Sequence, residues 1–143
     1  KTVDGVTAAI RATGARNWLL VPGTNWSGAH SWGTKIGKGG SNAQNFATYR
    51  DPEERALIEM HQYLDLDSSG TSPACVDADV GVRRLQNATR WLRSTGKRGF
   101  LGEFGAGPDP VCVEALSKMV AFMASNRDVW AGWTYWAGGA WWG

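Results

Sequence analysis

The chain of 143 residues carries 15 basic and 13 acidic residues, and its net charge of +2 is too small to predict a nucleic-acid partner. Hydrophobic residues make up 43% of the sequence, which is enough for the core of one domain. No apolar run reaches the length of a transmembrane helix, so we expect no membrane partner.

The first part of the chain predicts one helix, two short strands and an irregular segment between them. Apolar residues recur at helical spacing over residues 2–13. Short apolar runs at 18–21 and 56–63 predict strands. The polar, Gly-rich segment 24–55 predicts irregular structure with helical pieces near 42–49.

The second part of the chain alternates helix and strand. Helical periodicity extends over 77–95, and Asp109 followed by Pro110 predicts the start of another helix. Apolar runs at 99–104 and 129–136 predict two more strands. The predicted buried residues of the last helix are Val113, Leu116, Val120 and Met123. Short apolar strands separated by helices indicate an α/β fold with a parallel sheet.

Chemically distinctive residues lie at the end of each of the four predicted strands or just after it. In chain order they are Asn25, Trp26, His61, Tyr63, Glu103 and Trp136. Functional groups of parallel α/β folds gather where the strands end, so we expect these side chains to share one edge of the sheet. A single Glu at a strand end is usually a solvated residue, and a single His is usually structural. The combination favours a functional site.

Tryptophan is unusually frequent in this chain. Five of its nine Trp residues fall within the last fourteen positions. Flat aromatic platforms for a ring-shaped ligand explain this clustering, and so does an aromatic core cluster. The two His and two Cys residues lack the spacing of a zinc site.

The cysteines and two glycosylation triplets indicate the cellular location of the protein. Asn25-Trp26-Ser27 and Asn87-Ala88-Thr89 both match the N-glycosylation pattern, and Asn87 lies on the predicted outer face of its helix. With an even cysteine count, these triplets favour a secreted, extracellular protein. Cys75 and Cys112 either pair in a disulfide or remain two buried thiols.

Four motifs together resemble glycoside hydrolase family 5, most closely the fungal endo-β-1,4-glucanases. They are VPGTNWSGAHSW (21–32), EMHQYLD (59–65), LGEFG (101–105) and GWTYWAGGAWWG (132–143). The resemblance implies a (β/α)₈ TIM barrel, of which this chain holds the C-terminal half, strands five to eight. It implies retaining hydrolysis of β-1,4-glucan, such as cellulose, without a metal or an organic cofactor.

The resemblance also implies a role for individual residues. Glu103 matches the nucleophile, and His61 and Tyr63 match residues that hydrogen-bond around it. The matching carbohydrate-binding residues are Trp136, Trp141, Trp26 and the adjacent Asn25. Cys75 and Cys112 match a disulfide of the fungal enzymes.

The sequence departs from the family where the acid/base glutamate is concerned. The family carries this residue in an Asn-Glu-Pro motif after the fourth strand, and the motif is absent here. We expect it upstream of Lys1, so that residues 1–143 form a partial catalytic domain without the first four strands and the last helix. The missing half of the barrel is then a partner. Glu59 is a poor substitute because it lies two residues deeper in its strand than His61.

The sequence leaves alternatives to the endoglucanase hypothesis. A β-mannanase or β-1,3-glucanase of the same family has the same chemistry. A carbohydrate-binding module without catalysis explains the Trp content and the missing acid. The position of Glu103 argues against it, because a binding platform does not need a charged group beside the sugar.

Overall fold

A four-stranded parallel sheet forms the centre of the fold in the computed structural model, which describes residues 2–139. The strands are β1 (Leu19–Pro22), β2 (Ala56–His61), β3 (Gly99–Glu103) and β4 (Trp130–Trp133). They lie in the order β1-β2-β3-β4, and every neighbouring pair is parallel. The predicted parallel α/β sheet is confirmed.

Helices alternate with these strands along the chain. They are α1 (Thr2–Ala12), the short α2 (Asn42–Phe46), α3 (Val80–Ser94) and α4 (Pro110–Ser125). The Asp109 carboxylate accepts backbone N–H groups at the start of α4, as the sequence predicts. No helix within residues 2–139 combines the length and apolarity needed to cross a membrane.

Two strands end two or more residues earlier than predicted. The predicted run 56–63 is a strand only to His61, and 129–136 only to Trp133. Irregular backbone hydrogen bonds continue past the end of each strand. The Gln62 N–H donates to the Glu103 carbonyl, and the Trp136 N–H donates to the Phe104 carbonyl. The apolar pattern does not reveal this change from strand to loop.

The core lies between the sheet and helices α3 and α4. Its fully buried members include Leu85, Leu92, Leu101 and Met119. The predicted buried face of α4 is partly wrong, because Val113 is exposed and the buried residues are Cys112, Ala115, Met119 and Met123. Cys112 on this buried face is bonded to Cys75 in a disulfide.

A polar contact attaches α1 to the rest of the fold. The Arg11 guanidinium donates to both carboxylate oxygens of Asp51 at 2.8 and 2.7 Å, and both side chains are buried. The Thr7 and Tyr49 hydroxyls hydrogen-bond at 3.0 Å beside them. The Arg11 hydrogen bonds hold the pKa of Asp51 at about 2, below its ordinary 3.8.

The Asp51 pair makes stability depend on pH. The folded-state pKa lies below the unfolded one, so the stabilisation is full above pH 3.8 and is lost as pH falls toward 2. We expect D51N to lower the unfolding free energy by about 2–4 kcal/mol at pH 7. In urea titrations at fixed protein concentration, the difference in unfolding free energy between wild type and D51N should narrow as pH falls from 3.8 toward 2.

The matched control is the exposed pair of Arg93 and Asp128, with a comparable 2.8 Å separation. Because solvent screens it, D128N should cost less than about 1 kcal/mol. Equal losses for D51N and D128N would contradict the assigned importance of the buried pair.

Apolar side chains on both edge strands of the sheet are only partly covered within the described residues. Leu20 on β1 and Trp133 on β4 each remain 47% exposed, and these strands form the two edges of the sheet. Exposed apolar side chains beside unpaired strand edges favour association with another polypeptide.

We therefore expect the 143-residue chain, expressed by itself, to self-associate. Sedimentation velocity over a range of concentrations should show species larger than the monomer. L20S should reduce this association, whereas V113S, which alters an exposed valine on the helical side, should not. A wild-type chain that stays monomeric at every concentration would overturn the prediction.

Candidate active site

Glu103 lies at the carboxyl end of β3, beside the end of β2. The pairing of these strands shifts between Met60 and His61, so that His61 aligns with Glu103. This irregularity carries the side chains of both residues to the same edge of the sheet. The predicted convergence of the strand ends is therefore present between β2 and β3.

Two side chains from β2 and the loop after it face the Glu103 carboxylate. The Tyr63 hydroxyl donates to Oε2 at 3.0 Å, and His61 Nδ1 lies 3.5 Å from the same oxygen. Among residues 2–139, no hydrogen bond to Oε1 accompanies them. The Glu103 side chain is 32% exposed. Oε2 is thus held, whereas no such contact among the described residues holds Oε1.

Tyr63 is suited to act as a permanent donor. Burial raises the pKa of its hydroxyl well above the ordinary value, and the nearby Glu103 carboxylate raises it further. The phenol therefore keeps its proton throughout the neutral range.

His61 contacts a second carboxylate with its other ring nitrogen. Nε2 lies 2.8 Å from Oε1 of Glu59, a residue on the same strand. The hydrogen bond to Glu59 raises the pKa of His61, although burial opposes the shift. Glu59 therefore faces the same side of the sheet as His61.

The loop after β2 packs against the Tyr63 ring. Gly70 has a φ of +74°, and a Cβ there would lie 2.6 Å from Tyr63 Cδ1. The buried Asp65 carboxylate shapes this loop by accepting the backbone N–H groups of Gly70 and Ser72 at 3.0 and 3.2 Å. The disulfide between Cys75 and Cys112 then joins the loop to α4.

Two clefts meet at Tyr63. The first, of about 600 Å³, contains Glu103, His61, Asn25 and Trp26 in its walls. The second, of about 530 Å³, lies on the side of Trp136. Tyr63 and Ser69 line both. An elongated ligand that crosses Tyr63 would therefore contact both clefts.

A left-handed turn carries the first aromatic platform. Asn25, Trp26 and Ser27 have φ values of +56°, +50° and +55°, a conformation that non-glycine residues rarely adopt. The buried Ser27 hydroxyl secures the turn by donating to the Glu59 carbonyl at 2.6 Å and accepting the Gly23 N–H at 2.9 Å. The Trp26 side chain is consequently 86% exposed.

Trp136 follows β4 and lines the second cleft. Its backbone N–H donates to the Phe104 carbonyl at 2.9 Å, which fixes it next to Glu103 in space. The residue is 48% exposed, and its peptide bond to Ala137 is cis. Trp141, the other predicted platform in this segment, lies outside the described residues.

The two predicted glycosylation sites lie in different settings. Asn25 lines the first cleft, whereas Asn87 is exposed on α3 away from it. The Thr89 hydroxyl of the second triplet is buried, donates to the Leu85 carbonyl and accepts the Trp130 indole N–H.

Several residues of the site have no clear sequence signal. Asp65, Gly70 and Ser27 act through loop geometry, and Gly102 lies against the Glu59 side chain. The clustering of Asp, Ser and Gly after Tyr63 predicts a turn, but not its contact with the tyrosine ring. Within residues 2–139, no group of three or more potential metal ligands is assembled.

The fold and the cleft define a class of protein. A parallel sheet flanked by helices, with a carboxylate and aromatic side chains where its strands end, is the arrangement found in a segment of a (β/α) barrel. The model of the cellulase family, glycosyl hydrolase family 5, matches residues 1–139. The chain belongs to this family.

Alignments with known relatives include nearly all of this chain but only part of each relative. Endoglucanase 3 of Humicola insolens is 47% identical over 136 residues, which are 94% of this chain and 33% of that protein. Endo-beta-1,4-glucanase B of Aspergillus niger is 45% identical over 134 residues, or 94% of this chain and 38% of that protein. The expected likeness to fungal endoglucanases is confirmed, and the chain spans about a third of their length.

Solved structures show the same relation. The endo-beta-1,4-glucanase Xac0029 from Xanthomonas axonopodis pv. citri is 55% identical, with a TM-score of 0.95 over 99% of this chain and 44% of that one. XacCel5A, solved in complex with cellopentaose, is 50% identical, with a TM-score of 0.93 over 98% of this chain and 44% of that one. The predicted partial TIM barrel is confirmed.

The contact between Gly70 and Tyr63 yields a stability prediction. G70A adds left-handed strain and forces the new Cβ against the ring, so we expect a loss of about 2–4 kcal/mol in unfolding free energy. The control is G96A, at a φ of +64° with nothing within 4 Å, which should cost about 1 kcal/mol. Urea unfolding measures both, and equal losses would contradict the packing of the loop on Tyr63.

Proposed function

We propose that the protein containing this chain is a secreted endo-β-1,4-glucanase and that Glu103 is its nucleophile. The observation that carries the proposal is the Glu103 carboxylate in a cleft, with Oε2 held by Tyr63 and Oε1 without a hydrogen bond among the described residues. Relatives named endo-β-1,4-glucanase support β-1,4-glucan as the substrate class.

In the proposed reaction, Oε1 of Glu103 attacks the anomeric carbon of the bound sugar. The glycosidic C–O bond breaks, the leaving oxygen takes a proton from a carboxylic acid, and a glycosyl ester forms on Glu103. Water then attacks the same carbon and releases the carboxylate, with its proton passing to that second carboxyl group. The configuration of the sugar is retained.

The second carboxyl group must lie about 5 Å from the nucleophile. Glu59 is unsuitable because its side chain is 11% exposed and its carboxylate is engaged by His61. We propose that the acid comes from a part of the barrel outside this chain, with residues 1–143 forming a partial catalytic domain. The barrel strands and the final helix that complete the fold in relatives are then its structural partners.

The exposed aromatic residues are proposed to bind the glucan chain. Trp136 offers an indole face in the cleft beside Glu103, and Trp26 with Asn25 lines the other cleft. Sugar rings stack their C–H faces on such surfaces. Trp141 is proposed for a neighbouring position. Cleavage within a long chain requires contacts on both sides of the reacting bond, and the two joined clefts suit that requirement.

Secretion is proposed from the disulfide together with the glycosylation triplet that begins at the exposed Asn87. A glycan on Asn87 would point away from the cleft, whereas one on Asn25 would obstruct it. Of the two candidate sites, Asn87 is therefore the one compatible with activity.

The function is tested with aryl glycosides whose dinitrophenolate departs without an acid catalyst. We expect the chain to release dinitrophenol from the β-cellobioside faster than from the β-mannobioside or the β-laminaribioside. E103Q should reduce the rate by about a thousandfold or more, since nucleophile removal eliminates the covalent route. E114Q, which alters an exposed glutamate on α4, is the matched control.

Each competing function has its own result. Faster release from the mannobioside or the laminaribioside would identify a different glycosidase specificity. Binding of cellopentaose without any release, in wild type and E103Q alike, would identify a carbohydrate-binding module and contradict the proposed nucleophile.

A further inference from the structure

We propose that Glu59 is a positioning residue for the nucleophile: it holds His61 as the doubly protonated imidazolium whose Nδ1–H points at Glu103. This inference rests on the proposed role of Glu103 and adds a residue behind it. Glu59 itself does not contact the reacting atoms.

The geometry places one imidazole between two carboxylates. Nε2 of His61 lies 2.8 Å from Glu59 Oε1, and Nδ1 lies 3.5 Å from Glu103 Oε2. A neutral imidazole has one N–H group and one lone pair, so it can donate to only one of these oxygens. The imidazolium donates to both, and this arrangement of oxygens therefore favours it.

The surroundings of Glu59 indicate that its charge has a partner. Burial of an unpaired carboxylate is strongly unfavourable, and Glu59 is nearly buried. Among the described residues, His61 is the one that contacts its carboxylate in an ion pair. The Ser27 hydroxyl holds the Glu59 carbonyl at 2.6 Å, which fixes the backbone from which the side chain extends.

A glycine on the neighbouring strand provides the space. A Cβ on Gly102 would lie 2.0 Å from Glu59 Oε1 and 2.9 Å from Glu59 Cδ. Any larger residue at 102 would displace the carboxylate. The absence of a side chain at 102 is thus a condition for the Glu59–His61 contact.

The charged and titratable groups around His61 come from several elements. Glu59 on β2 and Glu103 on β3 face its two nitrogens, and Tyr63 shares the Glu103 oxygen. His30 and Asp67 line the same cleft. The carboxylates raise the pKa of His61, with the Glu59 hydrogen bond the main cause.

The protonated ring matters for the orientation of Glu103. Donation from Nδ1 and from Tyr63 fixes Oε2 and leaves Oε1 to attack. When pH rises and His61 loses a proton, the remaining proton stays on Nε2, where the oxygen is closer. A lone pair on Nδ1 then faces Oε2, and the carboxylate is repelled. Loss of Glu59 should bring this alkaline decline to a lower pH.

The direct test is the titration of His61, followed by mass spectrometry of slow deuterium exchange at imidazole Cε1. The chain contains only two His residues, so the peptides containing His61 and His30 report separately. Burial and Arg84 lower the pKa of His30, which makes its titration an internal measure of the folded state. In the wild type we expect His61 to titrate at a higher pH than His30.

Two variants should remove the Glu59 contact in different ways. E59Q retains the shape but not the charge, and G102A displaces the carboxylate without altering Glu59. Both should lower the pKa of His61 while His30 titrates as in the wild type. G33A, at an exposed glycine with open space around it, and E114Q are the controls and should leave both histidines unchanged.

The consequence for Glu103 is measured by its labelling with a dinitrophenyl 2-deoxy-2-fluoro-β-cellobioside. E59Q should slow labelling about tenfold at neutral pH and shift the alkaline decline of the rate to lower pH. A merely structural role would lower the rate without moving the pH profile, and that result would overturn the inference.

The two proposals fail in different ways. If the His61 pKa is unchanged in both E59Q and G102A while His30 remains native, the role of Glu59 is overturned whatever the labelling shows. If the wild type is not labelled while His61 responds to E59Q, the assignment of Glu103 as nucleophile fails and the Glu59–His61 contact stands.

Discussion

The arrangement of this site depends on one requirement: a carboxylate at the end of an apolar strand must be kept charged, held and accessible. Glu103 meets that requirement because the Tyr63 hydroxyl donates to Oε2 at 3.0 Å and His61 Nδ1 lies 3.5 Å from the same oxygen. If donors bound both oxygens, neither oxygen would be available to attack a substrate. If donors bound neither oxygen, the carboxylate would have no fixed orientation. The asymmetric contact gives the group both a fixed orientation and a free oxygen.

The residues behind this contact explain the local backbone. Gly70 lies against the Tyr63 ring because the Asp65 carboxylate gathers the loop around itself. Gly102 leaves space for Glu59, which in turn engages His61. Each donor to Glu103 is therefore supported by one carboxylate and one glycine. Neither glycine takes part in the reaction. Both positions exclude a larger residue, because a side chain at 70 would collide with Tyr63 and one at 102 would collide with Glu59.

The sequence predicts the sheet, the order of its elements and the edge at which the chemistry gathers, because these follow from apolar periodicity and from the geometry of parallel strands. It does not predict the whole buried face of α4, because this helix has apolar residues on several sides and helical spacing alone does not select among them. The sequence also does not predict the Asp65 loop or the left-handed turn at Trp26. The shapes of both depend on side-chain contacts outside the local sequence pattern.

The central claim, that Glu103 is a nucleophile held by one oxygen, is tested most directly by mapping the covalent adduct. The chain is incubated with the dinitrophenyl 2-deoxy-2-fluoro-β-cellobioside, digested and analysed by mass spectrometry. The account predicts a single cellobiosyl ester, located on Glu103 and absent from E103Q. An adduct on another carboxylate would contradict the claim. So would the absence of any adduct in a chain that is shown to be folded by the titration of His61 at a higher pH than His30.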